Sequence, residues 1–152
     1  MSIFIAFEAN TNSIYNCQDT FKRCKLKGEI INKGLWNKKD ILCFETRGTV
    51  PSAGANINKD GEETIETIQL DDVLQGKKVT LIKMDIEGSE YNALLGSEQT
   101  IKKWHPRLTI CVYHKPEDIL EILTLLLNFQ PDYHFALRTY RADGIETVLY
   151  AY

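Results

Sequence analysis

The 152-residue chain lacks several patterns that would assign it to a specialised class of protein. Its 4 cysteines include no CxxC pair, and none of its 3 histidines lies at ligand spacing from such a pair. This excludes a recognisable zinc site or disulfide framework, so we expect reduced thiols that pack as small hydrophobic side chains. No apolar run is long enough to cross a bilayer, and no basic leader follows the initial methionine. We therefore predict a cytoplasmic protein with no membrane partner.

An excess of positive charge and a glycine fingerprint are also missing. The net charge is −3 with mixed signs, which gives no surface for nucleic acid. No G-x-G sequence occurs, so the phosphate-binding turn of an NAD-dependent Rossmann enzyme is not present. The composition, 43% hydrophobic and 26% charged, is typical of an ordinary globular protein. A chain of this length predicts a single domain over residues 1–152.

Apolar strand patterns and helical patterns alternate along the chain. Inner strands with both faces buried are predicted within residues 2–9, 78–85 and 107–114, followed by helices within 10–26, 89–104 and 115–129. The helix at 89–104 should break at Gly96, and Asp71 should cap a short helix at 72–76. Between the first helix and the second inner strand we expect two short strands joined tightly at 35–39 and a loop at 47–63. Residues 132–152 predict a closing antiparallel hairpin, and the whole order predicts an α/β fold with a mostly parallel sheet and helices on its faces.

Glu8, Asp85 and His114 each end one of the predicted inner strands, where ligands bind in folds of this kind. Glu8 is placed either to accept two hydrogen bonds from the ribose diol of an adenosine cofactor or simply to face water. Asp85 and Glu87 lie two residues apart, so they point the same way if the strand persists. Such a pair could share a proton, act as a base or hold a divalent metal with a sugar hydroxyl, and we predict no dedicated metal site.

Other charged residues around these strand ends have simpler expected roles. Glu90 begins a predicted helix, which favours stabilisation of the helix start over direct catalysis. Lys83 is expected to form a salt bridge, with substrate binding as the alternative. His114 is a better candidate base than His105 or His134, because it ends an inner strand.

Five blocks of the sequence, taken in order, resemble the FkbM family of S-adenosylmethionine-dependent methyltransferases. They are IAFEAN, QLDDVL, LIKMDIEGSEYNALLGSEQTI, RLTICVYHKPEDI and ETVLYAY, and the K-x-D-x-E-G-x-E pattern from Lys83 to Glu90 is the most specific part. The resemblance implies a Rossmann-like class I methyltransferase sheet that ends in an antiparallel hairpin. It also implies S-adenosylmethionine as cofactor and O-methylation of a sugar or small metabolite.

The resemblance further implies roles for individual residues. Glu8, with Trp36 and Asn37 in the turn after the next strand, would bind the cofactor. Asp85 and Glu87 would lie where the methyl donor and the acceptor meet, and His114 completes the predicted catalytic set.

The sequence departs from this family at its beginning. Ala9 replaces the usual proline after the acid, and the first strand and glycine-rich turn that precede this acid are absent. That strand would lie between the strands of Glu8 and Asp85, so its absence leaves two unpaired inner edges. Either the two strands pair directly, or a second copy of the chain fills the gap, or the chain is a fragment whose missing N-terminal segment completes the sheet, which we favour. The alternative function is a non-catalytic α/β scaffold or binding module that has lost its cofactor site.

Overall fold

A computed structural model describes residues 2–45, 56–57 and 63–152 of the chain. Most of the loop predicted at 47–63 lies outside these residues. The strands in the described part are β1 (Phe4–Phe7), β2 (Gly28–Ile31), β3 (Gly34–Leu35), β4 (Asp40–Glu45), β5 (Asn56–Ile57), β6 (Glu63–Ile68), β7 (Leu81–Met84), β8 (Arg107–Cys111), β9 (Phe135–Thr139) and β10 (Thr147–Ala151). The helices are α1 (Ile14–Arg23), α2 (Leu70–Leu74), α3 (Glu90–Leu95), α4 (Glu98–Trp104) and α5 (Asp118–Phe129), with a 3-10 turn at Thr11–Ser13 before α1.

The described strands form three sheets with the orders β1-β2, β7-β8-β10-β9 and β3-β6-β4-β5. The pairs β1-β2, β7-β8 and β3-β6 are parallel, whereas β10 is antiparallel to both β8 and β9. This mixed arrangement confirms the predicted α/β class and the closing hairpin. The two short strands predicted after α1 are present as β2 and β4, but a further short strand, β3, lies between them, and β2 pairs with β1 while β4 pairs with β6.

The strands that end at Glu8 and Asp85 are both at sheet edges. Among the described residues, β1 pairs only with β2 and β7 pairs only with β8. Direct pairing of these two strands, one of the three arrangements considered from the sequence, is therefore wrong. Both strands begin with exposed apolar residues, since Phe4 is 45% exposed and Leu81 is 60% exposed.

The hydrophobic core lies between one face of the β7-β8-β10-β9 sheet and helices α3, α4 and α5. Alternate residues of the strands point into it, and they pack with buried helical residues that include Leu94, Ile101, Ile122 and Leu126. Each such side chain contributes roughly 1.5–3 kcal/mol through removal of apolar surface from water. The opposite face of the sheet carries exposed residues, such as Leu81 and Lys83 of β7 and Arg107 of β8. The prediction that both faces of β7 are buried is therefore wrong.

The predicted helices are present at approximately the predicted positions, but α5 is less buried than the sequence suggests. The pattern at 89–104 divides at Gly96, where an added Cβ would lie 2.1 Å from the carbonyl oxygen of Trp36. On α5, Ile122 and Leu126 are fully buried, but Leu120 is 71% exposed. No helix in the described ranges is long and apolar enough to span a membrane.

Asp71 caps a different helix from the one predicted. It lies inside α2, whose N-cap position is Gln69, and its carboxylate accepts hydrogen bonds from the backbone N–H groups of Gln99 and Thr100, both at 2.9 Å. These N–H groups lie in the first turn of α4 and have no partner within that helix. The Asp71 side chain therefore joins α2 to α4 just behind the β7–α3 region.

We expect Asp71→Ala to lower the free energy of unfolding by about 1–2 kcal/mol, because two N–H groups of α4 lose their acceptor. Urea denaturation followed by circular dichroism measures this change. Asp72→Ala is the matched control, since Asp72 is the next residue of α2 and forms only an exposed pair with Lys39 at 3.7 Å. A loss from Asp72→Ala as large as that from Asp71→Ala would contradict the capping role.

Candidate active site

Two turns at the carboxyl ends of β7 and β8 build the site. Residues 85–89 lead from β7 into α3, and residues 112–117 lead from β8 into α5. Because the two strands are parallel neighbours, both turns lie at the same edge of the sheet. The Lys115 ammonium donates a hydrogen bond to the carbonyl oxygen of Gly88, and Asp118 Oδ2 accepts from the backbone N–H of Lys115 at 3.0 Å. The first of these bonds links the two turns directly.

The turn after β7 has a left-handed backbone held in place by Glu90. Glu87 and Gly88 have φ values of +57° and +85°, and this conformation costs a non-glycine residue roughly 1–2 kcal/mol. Glu90 Oε1 accepts a hydrogen bond from the backbone N–H of Ile86 at 2.7 Å. Glu90 is the first residue of α3, as predicted, and is fully buried, but Oε1 accepts from the turn before the helix and not from an N–H group of the first turn of α3.

His114 lies at the centre of a group of carboxylates. Its Nδ1 is 3.2 Å from Glu90 Oε1, and its Nε2 is 3.5 Å from Glu87 Oε2 and 3.7 Å from Asp85 Oδ1. The side chain of His114 is 8% exposed, that of Asp85 is 39% exposed and that of Glu87 is 30% exposed. The three predicted catalytic residues are therefore brought together, with the carboxylates of Asp85 and Glu87 at the wetter side.

Charge and burial shift the titration of the groups around Asp85. Burial lowers the pKa of His114, but pairing with Glu90 and the charges of the other two carboxylates outweigh it, so that its pKa is raised overall. Burial, and then the charge of Asp85, raises the pKa of the Cys111 thiol to about 12. The same causes raise the pKa of Tyr113, whose hydroxyl donates to Asp85 Oδ1 at 3.2 Å. Cys111 is thus a neutral thiol, which agrees with the expectation of unreactive cysteines; all 4 are free.

Glu8 lies at the carboxyl end of β1 and is half-buried. Its Oε1 accepts a hydrogen bond from the backbone N–H of Asn10 at 2.8 Å, and its backbone carbonyl accepts from the Asn32 carboxamide at 2.8 Å. Asn32 directly follows β2, so the ends of the two paired strands meet at Glu8. Glu8 Oε2 has no hydrogen bond to the described residues.

Trp36 and Asn37 follow β3 and contact the α3–α4 region. The backbone N–H of Trp36 donates to Ile68 O at 3.0 Å, and the carboxamide nitrogen of Asn37 donates to Asn92 Oδ1 at 2.9 Å. In the described part of the chain, neither residue forms a hydrogen bond with Glu8. The prediction that these two residues bind the cofactor therefore stays a prediction.

Sequence reasoning missed the residues that position the site. Tyr113, Lys115 and Asp118 all contact the two turns, yet none was predicted to have a role. The role of Asp118 could have been predicted, because an acid at the start of a helix commonly accepts a hydrogen bond from a backbone N–H group a few residues earlier. Lys83 forms the predicted salt bridge, with its Nζ 3.6 Å from Asp85 Oδ2.

A cavity of about 210 Å³ lies at the other end of the same strands. It is lined by residues that include Leu81, Arg107 and Tyr152, and it contains no predicted site residue. Leu81 and Arg107 are the first residues of β7 and β8, so this cavity is remote from the turns that carry the acids.

The fold and the acids at its strand ends define an α/β domain of the type that binds a ligand at the carboxyl ends of its strands. The methyltransferase FkbM domain family matches residues 2–140 of the chain. The chain therefore belongs to the FkbM methyltransferase family, which confirms the resemblance seen in the sequence.

A solved structure has the same fold. The crystal structure of methyltransferase FkbM from Methylobacillus flagellatus KT is 27% identical in sequence and superposes with a TM-score of 0.78. The match covers 97% of the present chain and 36% of that protein, so the chain spans about a third of the length of this relative. No curated protein is significantly similar to the chain.

Proposed function

We propose that the chain carries part of the active site of an S-adenosylmethionine-dependent methyltransferase that acts on a hydroxyl group of a sugar or small metabolite. The observation that carries the proposal is the convergence of Asp85, Glu87 and His114 at one edge of the sheet, where a carboxylate oxygen of Asp85 and one of Glu87 lie 3.7 and 3.5 Å from His114 Nε2. Membership of the FkbM family supports the reaction class. The hydroxyl acceptor is the finer part of the proposal.

Glu8 is suited to bind the ribose of the cofactor. One oxygen of its carboxylate is used by the N–H of Asn10, and Oε2 is left for the ribose hydroxyls. Hydrogen bonds from a diol to an ionised carboxylate are stronger than those to a neutral group. The N–H of Asn10 also fixes the orientation of the side chain before the ligand arrives.

Asn37 supplies a second observation that fits the cofactor. Its carboxamide oxygen is buried and has no hydrogen-bond partner among the described residues. A buried acceptor without a partner costs roughly 1–3 kcal/mol, and an amino group such as that of adenine would satisfy it. This supports the predicted contact of the Trp36–Asn37 turn with the base.

The residues at the ends of β7 and β8 would act on the acceptor. The bound cofactor supplies a methyl group on a sulfonium, and transfer requires an acceptor oxygen held in line with that carbon. His114 and the carboxylates of Asp85 and Glu87 would accept hydrogen bonds from the acceptor hydroxyl, and one of them would take its proton.

Calorimetric titration with S-adenosylmethionine tests the cofactor part of the proposal. We expect Glu8→Gln to weaken binding about 10- to 100-fold, because a neutral amide replaces the charged acceptor of the ribose while still accepting the N–H of Asn10. Glu29→Gln is the matched control, since Glu29 is an exposed acid on the paired strand β2.

Each outcome of the titration has a defined meaning. Weaker binding in Glu8→Gln, with unchanged binding in Glu29→Gln, supports the proposal. Absence of heat at millimolar cofactor would overturn it for this chain and would favour the scaffold alternative. Equal affinities of the wild-type protein and Glu8→Gln for S-adenosylmethionine would mean that Glu8 does not bind the cofactor.

A further inference from the structure

We propose that Asp85, Glu90 and His114 form a binding site for a divalent first-row metal ion such as Mn²⁺ or Zn²⁺. One ligand atom from each of these residues lies within 4.8 Å of the corresponding atoms of the other two. Metal–ligand distances of about 2.0–2.2 Å place neighbouring ligand atoms roughly 3–3.6 Å apart. Asp85 Oδ1 lies 3.7 Å from Nε2 of His114 and Glu90 Oε1 lies 3.2 Å from Nδ1 of the same ring. Only one of these nitrogens would bind the ion, so the three ligand atoms, now within 4.8 Å of one another, would move closer by roughly 1 Å on binding.

The buried polar atoms of the cluster point to a missing partner. Glu90 Oε2 is fully buried and has no hydrogen-bond partner in the described part of the chain, while Oε1 of the same carboxylate accepts from the N–H of Ile86. Both ring nitrogens of His114 are also buried, and each lies 3.2–3.7 Å from a carboxylate oxygen without forming a hydrogen bond of good geometry to the described residues. Buried carboxylates and imidazoles in folded proteins are paired, hydrogen-bonded or bound to a metal. A metal ion would use a lone pair of Glu90 and one of His114 at the same time.

The balance of charge also favours a cation at this position. Three carboxylates, those of Asp85, Glu87 and Glu90, surround a single imidazole. The nearby ammonium groups are directed elsewhere, because Lys115 donates to the carbonyl of Gly88 and Lys83 contacts the outer oxygen of Asp85. A divalent ion would reduce the repulsion between the carboxylates without displacing either lysine.

The donor set selects the class of metal. Two carboxylate oxygens and one imidazole nitrogen suit Mn²⁺, Fe²⁺ or Zn²⁺, whereas Mg²⁺ and Ca²⁺ prefer oxygen ligands alone. Three protein ligands leave further coordination positions for water or for a hydroxyl group of a ligand. If the proposed function holds, on which this last role rests, the ion would bind the acceptor hydroxyl and make its proton easier to remove.

Titration of the full chain with Mn²⁺, followed by the loss of the electron paramagnetic resonance signal of the free ion, tests the site directly. We expect one bound Mn²⁺ per chain, displaced by Zn²⁺ and not by an equal concentration of Ca²⁺. Asp85→Asn and His114→Gln should each weaken binding at least about 10-fold, with circular dichroism confirming the fold. Glu98→Gln is the control, since Glu98 begins α4 with a 44% exposed side chain and should bind like the wild-type protein.

Binding that is unchanged in both variants, or absent in the wild-type chain, would overturn the proposal. Asp85 is partly exposed, so Asp85→Asn decides the matter if His114→Gln does not fold. Titration with S-adenosylmethionine in metal-free buffer separates this proposal from the proposed function. Cofactor binding without Mn²⁺ binding would contradict only the metal site. Mn²⁺ binding without cofactor binding would support the metal site and contradict the proposed function of this chain.

Discussion

Replacement of Glu90 by alanine is expected to lower the free energy of unfolding by about 3–5 kcal/mol, the range for removal of one member of a buried charged pair. Glu90 is fully buried, accepts the N–H of Ile86 at 2.7 Å and lies 3.2 Å from Nδ1 of His114. Its loss leaves a buried N–H and a buried imidazole without their partner, and it leaves a cavity under the turn after β7. Urea denaturation monitored by circular dichroism measures the change.

Glu98→Ala is the matched control for Glu90→Ala. Both glutamates are the first residues of consecutive helices, α3 and α4, but Glu98 is 44% exposed and pairs with Lys102 across one helical turn. We expect its replacement to cost less than about 1 kcal/mol. Glu90→Gln should fall between the two, because its amide oxygen can still accept the N–H of Ile86. Similar small losses for both alanine variants would contradict the buried position of Glu90.

Gly28→Ala is expected to cost about 3 kcal/mol or more, because no side chain fits at this position. Gly28 pairs with Phe4 in the β1-β2 sheet and has a φ of +153°. A Cβ at Gly28 would lie 1.7 Å from the carbonyl oxygen of Phe4, so the backbone itself would have to move. The two strands would separate, and Glu8, at the end of β1, would lose its fixed position.

Gly144→Ala is the control for this backbone effect. Gly144 also has a positive φ, +83°, but a Cβ there would have no heavy atom within 4 Å. We expect this variant to lose only about 1 kcal/mol, the cost of the left-handed conformation. Thermal unfolding of both variants, with calorimetric binding of S-adenosylmethionine, measures the two effects together. Equal stability of Gly28→Ala and the wild-type protein would mean that β1 and β2 are not paired as described.

The sequence predicted those parts of the fold that depend on local pattern. The approximate positions of strands and helices and the break at Gly96 follow from apolar periodicity and from glycine, although β8 ends at Cys111, before the predicted end at His114. The same patterns place Asp85 and His114 at the ends of adjacent parallel strands, which is enough to bring them together.

Contacts between segments that are distant in the sequence could not be predicted from these local patterns. Asp71 caps α4 across 28 residues, because the packing of α2 on α4 selects its partner. The unpaired oxygen of Glu90 and the exposed face of β7 also depend on tertiary packing. The pairing of β4 with β6 likewise could not be predicted, since a short strand pattern carries no information about its neighbour.

A crystal structure of the chain with bound S-adenosylhomocysteine would show whether the carboxyl ends of β1 and β7 form the cofactor site. We expect the ribose hydroxyls to contact the Glu8 carboxylate and the sulfur to face the turns carrying Asp85 and His114. A ligand bound at the cavity lined by Leu81 and Arg107, or anywhere away from the carboxyl ends of β1 and β7, would contradict this expectation.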